Sequence, residues 1–253
     1  MKEVKIIFSD YDGTIYTEDG MVEKNVGAIK EWHDNGGKFV IATGRGLTSA
    51  KKVIDQYGIP FDYCIINNGA VVVDSDYNLL LKLTIPLVEV KKIATFIRDN
   101  FSSEIEGIYY YGLGEKTIEP EDIVTKVRAQ TIGRDHAPMQ AVTDAINQSF
   151  PNVIAHVTLT DMYPLEQFPD SNYQIVDIGY GEAGKQHAMR FILEREGLRS
   201  IDATAIGDGA NDIEMIKNYD GYALGGSVAA KMNGKITASV FELINGIMKA
   251  RGL

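Results

Sequence analysis

Four polar clusters in this 253-residue chain carry side chains able to act together. Asp10-Tyr11-Asp12-Gly13-Thr14, Thr43-Gly44-Arg45 and Gly207-Asp208-Gly209-Ala210-Asn211-Asp212 each follow a short apolar run, and Lys185 stands where a helical pattern begins. Two carboxylates about 4 Å apart repel by roughly 4 kcal/mol at an effective dielectric of about 20. Asp10, Asp12, Asp208 and Asp212 gathered at one edge therefore need a cation. A hard, all-oxygen donor set with open positions suits Mg²⁺, which keeps waters and bridges substrate phosphate. Asp10 and Asp208 are the expected direct ligands, with the carbonyl of Asp12 as a third and Asp212 in the same acidic metal set.

The elements that would bring these residues together are α/β in kind. Strand signals over residues 4–8, 38–42 and 63–66 alternate with helix signals over 23–35 and 47–57. Strands separated by helices imply right-handed crossovers and a parallel sheet, whose ligands gather at the carboxyl ends of the strands. Residues 70–73 and 79–83 read as a hairpin around a polar turn. Between about 86 and 180 the pattern turns mixed, with helices over 88–100 and 140–150 and strands over 105–111, 153–159 and 173–178. Alternation then returns, with a helix ended by Gly197, strands over 203–206 and 221–224, and helices over 211–218 and 240–249. The expected architecture is a doubly wound parallel sheet core, residues 1–84 and 181–253, with an α+β domain, 85–180, inserted in its middle.

Composition narrows the function classes. A net charge of −10 with scattered Lys and Arg speaks against general nucleic-acid binding, which uses a basic face. No apolar run approaches the roughly 20 residues that span a bilayer. The single cysteine, Cys64, excludes an intramolecular disulfide and reads as a small buried hydrophobe within an apolar run. A soluble cytoplasmic protein with no nucleic-acid or membrane partner is expected, and its oligomeric state is not legible. Trp32 and Met189 read as core, and His156 and the run Tyr109-Tyr110-Tyr111 as structural strand residues.

Taken together and in order, the four clusters resemble the sequence motifs of the haloacid dehalogenase-like (HAD) hydrolases. The long interval between Thr43 and Lys185 is similar to that of the Cof-type phosphatases, which carry a large C2-type cap, and Ile66-Asn67-Asn68-Gly69-Ala70 is similar to a segment preceding that cap. The resemblance implies a Rossmann-like HAD core and a phosphoric monoester hydrolase. Asp10 would attack phosphorus and form an aspartyl-phosphate. Asp12 would protonate the leaving alcohol and later take a proton from water. Thr43 would hydrogen-bond a phosphoryl oxygen, and Lys185 would offset negative charge. Asn211 and Asp212 would orient the metal's waters or Lys185. The implied substrate-binding set is Thr43, Gly44, Arg45, Lys185 and Asn211.

Each cluster alone also has a plain reading. Asp-x-Asp-Gly-Thr can be a capping turn, Thr43-Gly44-Arg45 a strand-to-helix turn with Arg45 a surface charge, and Lys185 a solvated lysine. The expected substrate is a small phosphorylated metabolite: a sugar phosphate, phosphoglycolate or a phosphorylated cofactor. A phosphomutase or phosphotransferase passing phosphate to a sugar hydroxyl, and a non-catalytic metabolite-binding module, are the alternatives. Specificity is assigned to the inserted domain, where Asp161, Tyr163 and Glu166 are candidates.

Overall fold

The structure is a computed structural model that describes residues 3–17, 20–114, 116–120, 123–131, 136–158, 174–232 and 234–252. The specificity candidates Asp161, Tyr163 and Glu166 lie outside the described residues. Two compact units emerge, one of residues 1–82 with 184–253, the other of 83–183.

In chain order, the first unit begins β1 (Ile6–Ser9), α1 (Val22–Asp34), β2 (Lys38–Ala42), α2 (Leu47–Tyr57), β3 (Tyr63–Ile66), β4 (Val71–Asp74) and β5 (Leu79–Lys82). The second unit holds α3 (Leu87–Phe101), β6 (Ile105–Tyr111), β7 (Lys116–Thr117), β8 (Lys126–Thr131), α4 (His136–Ser149), β9 (Val153–Thr158) and β10 (Ile175–Tyr180). The chain then returns to the first unit with α5 (Lys185–Glu196), β11 (Ala203–Gly207), α6 (Ile213–Asn218), β12 (Tyr222–Leu224), β13 (Ile236–Thr237) and α7 (Val240–Arg251).

The first unit is an α/β Rossmann-like layer built on a sheet of order β13-β12-β11-β1-β2-β3-β4-β5. Strands β13 through β3 run parallel, and β4 and β5 add an antiparallel hairpin at one edge. All of β1 is buried, as strands covered on both faces require. Ile6 and Phe8 meet the apolar stripes of α5 (Ala188, Met189, Ile192, Leu193) and α6 (Met215, Ile216). Ile7, Phe39 and Ile41 alternate with them and are equally buried. Trp32 of α1 is fully buried and donates its indole N–H to the Lys38 carbonyl at 2.8 Å. Because β1 pairs with both β2 and β11, its C-terminal end lies between the loops that follow them.

The second unit is an antiparallel sheet of order β7-β6-β8-β10-β9. Val127, Ala129, Val176, Ile178 and Tyr110 share a core with Val90, Ile93 and Ile97 of α3 and Val142 and Ile146 of α4. Strand β8 is absent from the sequence expectation. Its odd-numbered side chains feed that core, but Lys126, Arg128 and Gln130 make it read as polar. Buried Asp177 of β10 takes both oxygens of its carboxylate to Arg128, at 2.7 and 2.8 Å, with Lys126 at 3.6 Å.

Candidate active site

Asp10 is the residue that leaves β1, and its N–H still donates to the Ile206 carbonyl of β11 at 2.9 Å. The next turn folds on itself, with Thr14 and Tyr16 amides both returning to the Tyr11 carbonyl. Gly13 makes that turn possible. Its φ is +80°, and a Cβ there would sit 2.5 Å from Oδ2 of Asp208, so only glycine lets the loop approach so closely. Thr14 then donates its hydroxyl to Oδ1 of Asp208 at 2.8 Å, tying the first cluster to the loop after β11.

Lys185 opens α5 and is not a solvated lysine, its side chain being 1% exposed. Its ammonium donates to Oδ1 of Asp10 and, at 2.7 Å, to Oδ1 of Asp212. The other oxygen of Asp212 accepts the amides of Asp208 and Gly209 at 3.1 and 2.9 Å. Asp212 is thus held from three directions, and it holds Lys185 in turn.

One oxygen from each of Asp10, Asp208 and Asp212 lies within 4.8 Å of the others. Two of these carboxylates, Asp10 and Asp212, share the Lys185 ammonium with Asp208 close by, and the electrostatics reflect that. Burial pushes the Asp10 carboxyl well above its ordinary value; Lys185 opposes the rise, while Asp212 and Asp208 add to it. Asp208 is raised as well, first by burial, against the pull of the Thr14 hydroxyl. For Lys185 burial works downward, but Asp10 and Asp212 outweigh it and hold the ammonium charged. Among the described residues, the second oxygen of Asp10 and of Asp208 accepts no hydrogen bond. A divalent cation held by this group of carboxylates would relieve the crowding, and the hard donor set fits Mg²⁺.

The other expected residues fall in two groups. Thr43 is buried at the end of β2; its hydroxyl accepts the Arg45 amide at 3.1 Å, and its carbonyl accepts the Asn68 amide at 3.1 Å. Gly44 passes so close to Asn68 that a Cβ would lie 3.0 Å from its Oδ1, and Asn211 donates to that same oxygen at 3.2 Å. Asp12 stands apart from the three-carboxylate group. Its side chain is paired with Arg45, through Nε to Oδ2 at 2.8 Å and Nη2 to Oδ1 at 2.6 Å.

Two features at the site drew no role from the sequence. Asn67, Asn68 and Gly69 have φ of +50°, +55° and +100°, an unusual run of left-handed backbone. At Gly69 a Cβ would lie 2.2 Å from the carbonyl of Gly184, so this loop rests directly on the residue that leads into Lys185. Consecutive asparagines before a glycine are the available signal, since these types tolerate that conformation best. The other is Ser49, whose position in a polar helix start gave no hint that it accepts from Arg45.

Residues 7–231 match the sequence pattern of the haloacid dehalogenase-like hydrolases. The chain belongs to that family. Among its relatives, a 5-amino-6-(5-phospho-D-ribitylamino)uracil phosphatase of Bacillus subtilis is 24% identical, over 88% of this chain and 84% of its own. A phosphoglycolate phosphatase of Methanosarcina acetivorans is 28% identical, over 84% of this chain and 79% of its own. In structure, a phosphatase of the haloalkanoate (HAD) enzyme superfamily from Bacteroides thetaiotaomicron superimposes with a TM-score of 0.74 at 18% identity. That superposition covers 100% of this chain and 97% of the other, and it shows the shared fold. This haloacid dehalogenase-like hydrolase is thus an enzyme of the phosphatase kind. None of its helices, among the described residues, is long and apolar enough to cross a membrane.

Proposed function

We propose that this enzyme hydrolyses small phosphate monoesters with the help of Mg²⁺, by way of an aspartyl-phosphate on Asp10. The observation that carries the reading is the Lys185 ammonium shared by Asp10 and Asp212 beside Asp208. A nucleophilic carboxylate approaching a phosphate dianion needs its charge offset, and fixed groups at the site do this without reorganising during the reaction. Lys185 supplies one such charge. Asp10 and Asp208 would hold the metal, which when bound neutralises phosphoryl oxygens, and Asp212 would keep Lys185 aimed.

In the first step an Asp10 oxygen bonds to phosphorus as the ester oxygen leaves with a proton from Asp12. In the second, water attacks the phosphorus, gives its proton to Asp12 and frees Asp10. Thr43 is assigned to a phosphoryl oxygen, and Gly44 and Asn211 to the same phosphate-facing loops. Residues 85–180 are read as the cap domain of this enzyme, operating on a phosphorylated metabolite.

Release of inorganic phosphate from a panel of esters, with and without Mg²⁺, tests the reading. The panel should include phosphoglycolate, 5-amino-6-(5-phospho-D-ribitylamino)uracil and several sugar phosphates. Undiminished turnover by Asp10→Asn would overturn the covalent route. An isomerised phosphosugar with little free phosphate would select a mutase instead.

A further inference from the structure

Arg45 is anchored on every edge of its guanidinium. Nε and Nη2 form a fork on the two Asp12 oxygens at 2.8 and 2.6 Å. Nη1 donates to the Ser49 hydroxyl in the first turn of α2 at 3.1 Å. The guanidinium carbon lies 5.2 Å from the centre of the Tyr11 ring. The backbone is fixed too: the Arg45 amide donates to Thr43, and its carbonyl accepts the Asn67 amide at 2.8 Å. Three loops of the site thus converge on one arginine.

With side chains 31% and 39% exposed, the Arg45–Asp12 pair contributes little to stability. Its value is geometric, because a two-bonded fork fixes both the place and the plane of a carboxylate. A fork closed on Asp12 is also withheld from the phosphate. We propose that Arg45 is a positioning residue that holds the Asp12 carboxylate in the orientation needed to accept the proton of the hydrolytic water. Ser49 and Tyr11 are the supports that hold Arg45 in turn.

The inference rests on the aspartyl-phosphate reading above and concerns its second step. There the bond from water oxygen to phosphorus forms, the bond from Asp10 to phosphorus breaks, and the water's proton passes to Asp12. p-Nitrophenyl phosphate separates the two steps, since its leaving group departs without needing a proton. Without the fork, phosphorylation of Asp10 by this ester should proceed while hydrolysis lags.

Stopped-flow release of p-nitrophenolate with Mg²⁺ present is the test, on the wild type, Arg45→Ala, Arg45→Lys and Ser49→Ala. Arg45→Ala should show a burst of about one p-nitrophenolate per site, followed by turnover some 10- to 100-fold slower than wild type, with KM unchanged or lower. Arg45→Lys keeps the charge but cannot form the fork, so it should show the same burst. Ser49→Ala should fall between. A rise in KM with kcat kept would overturn the proposal and make Arg45 a substrate ligand. Equal slowing of burst and turnover, or full activity in Arg45→Lys, would overturn it as well. Failure of the underlying reading looks different: the wild type would release no phosphate, or Asp10→Asn would turn over normally.

Discussion

The ammonium of Lys185, first residue of α5, reaches Asp10 at the end of β1, although 175 residues separate them in sequence. The contact depends on a third residue, because Asp212 holds the same ammonium at 2.7 Å. Lys185 therefore has two consequences, one for the chemistry and one for the stability of the site.

Lys185→Met should lower kcat/KM for phosphate esters by about 10²- to 10³-fold, the usual loss when a fixed charge is removed from a transition state. Removing one partner of a buried charge group also leaves the rest uncompensated, at about 3–5 kcal/mol. The variant should melt well below wild type in metal-free buffer, as followed by circular dichroism.

Mg²⁺ should raise the melting temperature of the wild type. At about a hundredfold excess over its dissociation constant a ligand adds ~2.7 kcal/mol, which for a chain of this size corresponds to roughly 5–10 °C. Asp208→Asn should lose most of that shift in differential scanning fluorimetry. A shift of the same size in Asp208→Asn would remove that residue from the metal set.

Asp177 gives the second unit an acid-sensitive element. Burial alone would raise its carboxyl, but Lys126 and Arg128 outweigh that and hold it far below its ordinary value. A carboxyl depressed in the folded state contributes stability that is full above its unfolded value of about 3.9 and declines as pH falls below it. Asp177→Asn should therefore be markedly less stable than wild type at neutral pH, with the gap narrowing by about pH 3. Urea midpoints at both pH values measure this.

Cys64 lies buried in β3, and burial pushes its thiol up to about 12. The thiolate is the reactive form, so native protein should resist iodoacetamide at mildly alkaline pH and react once unfolded in urea. Mass spectrometry before and after denaturation checks it.

Gly69→Ala should cost more than an ordinary surface change. The backbone there is left-handed, and the added carbon would meet the Gly184 carbonyl at 2.2 Å. The loop must move off the start of α5, so activity should fall further than the melting temperature alone explains. Comparing kcat with stability across Gly69→Ala and a distant glycine variant measures that excess.

Strands β1, β2 and β3 were legible because burial on both faces leaves an unbroken apolar run. Three of the four polar clusters were legible as a group because each follows such a run, whereas Lys185 opens a helix. What escaped depends on partners distant in the chain. Lys126 and Arg128 disguise β8 as polar, since the carboxylate that neutralises them belongs to Asp177, 49 residues beyond Arg128. The Asp12–Arg45 fork spans 33 residues and two loops, and no local spacing announces it. The two-residue β13 is too short for any periodicity to register.

The pairing of β1 with β11 sets a timetable for the enzyme. Residues 6–9 can complete their side of the sheet only when 203–206 are available. During synthesis, the strand that delivers Asp10 therefore waits, one edge unpaired, while the whole intervening unit is made. That unit contains its own core and can fold meanwhile. Such long-range closure is slow and exposes a sticky edge to neighbouring chains. Competence for catalysis should thus appear abruptly and late, when the final quarter of the chain docks.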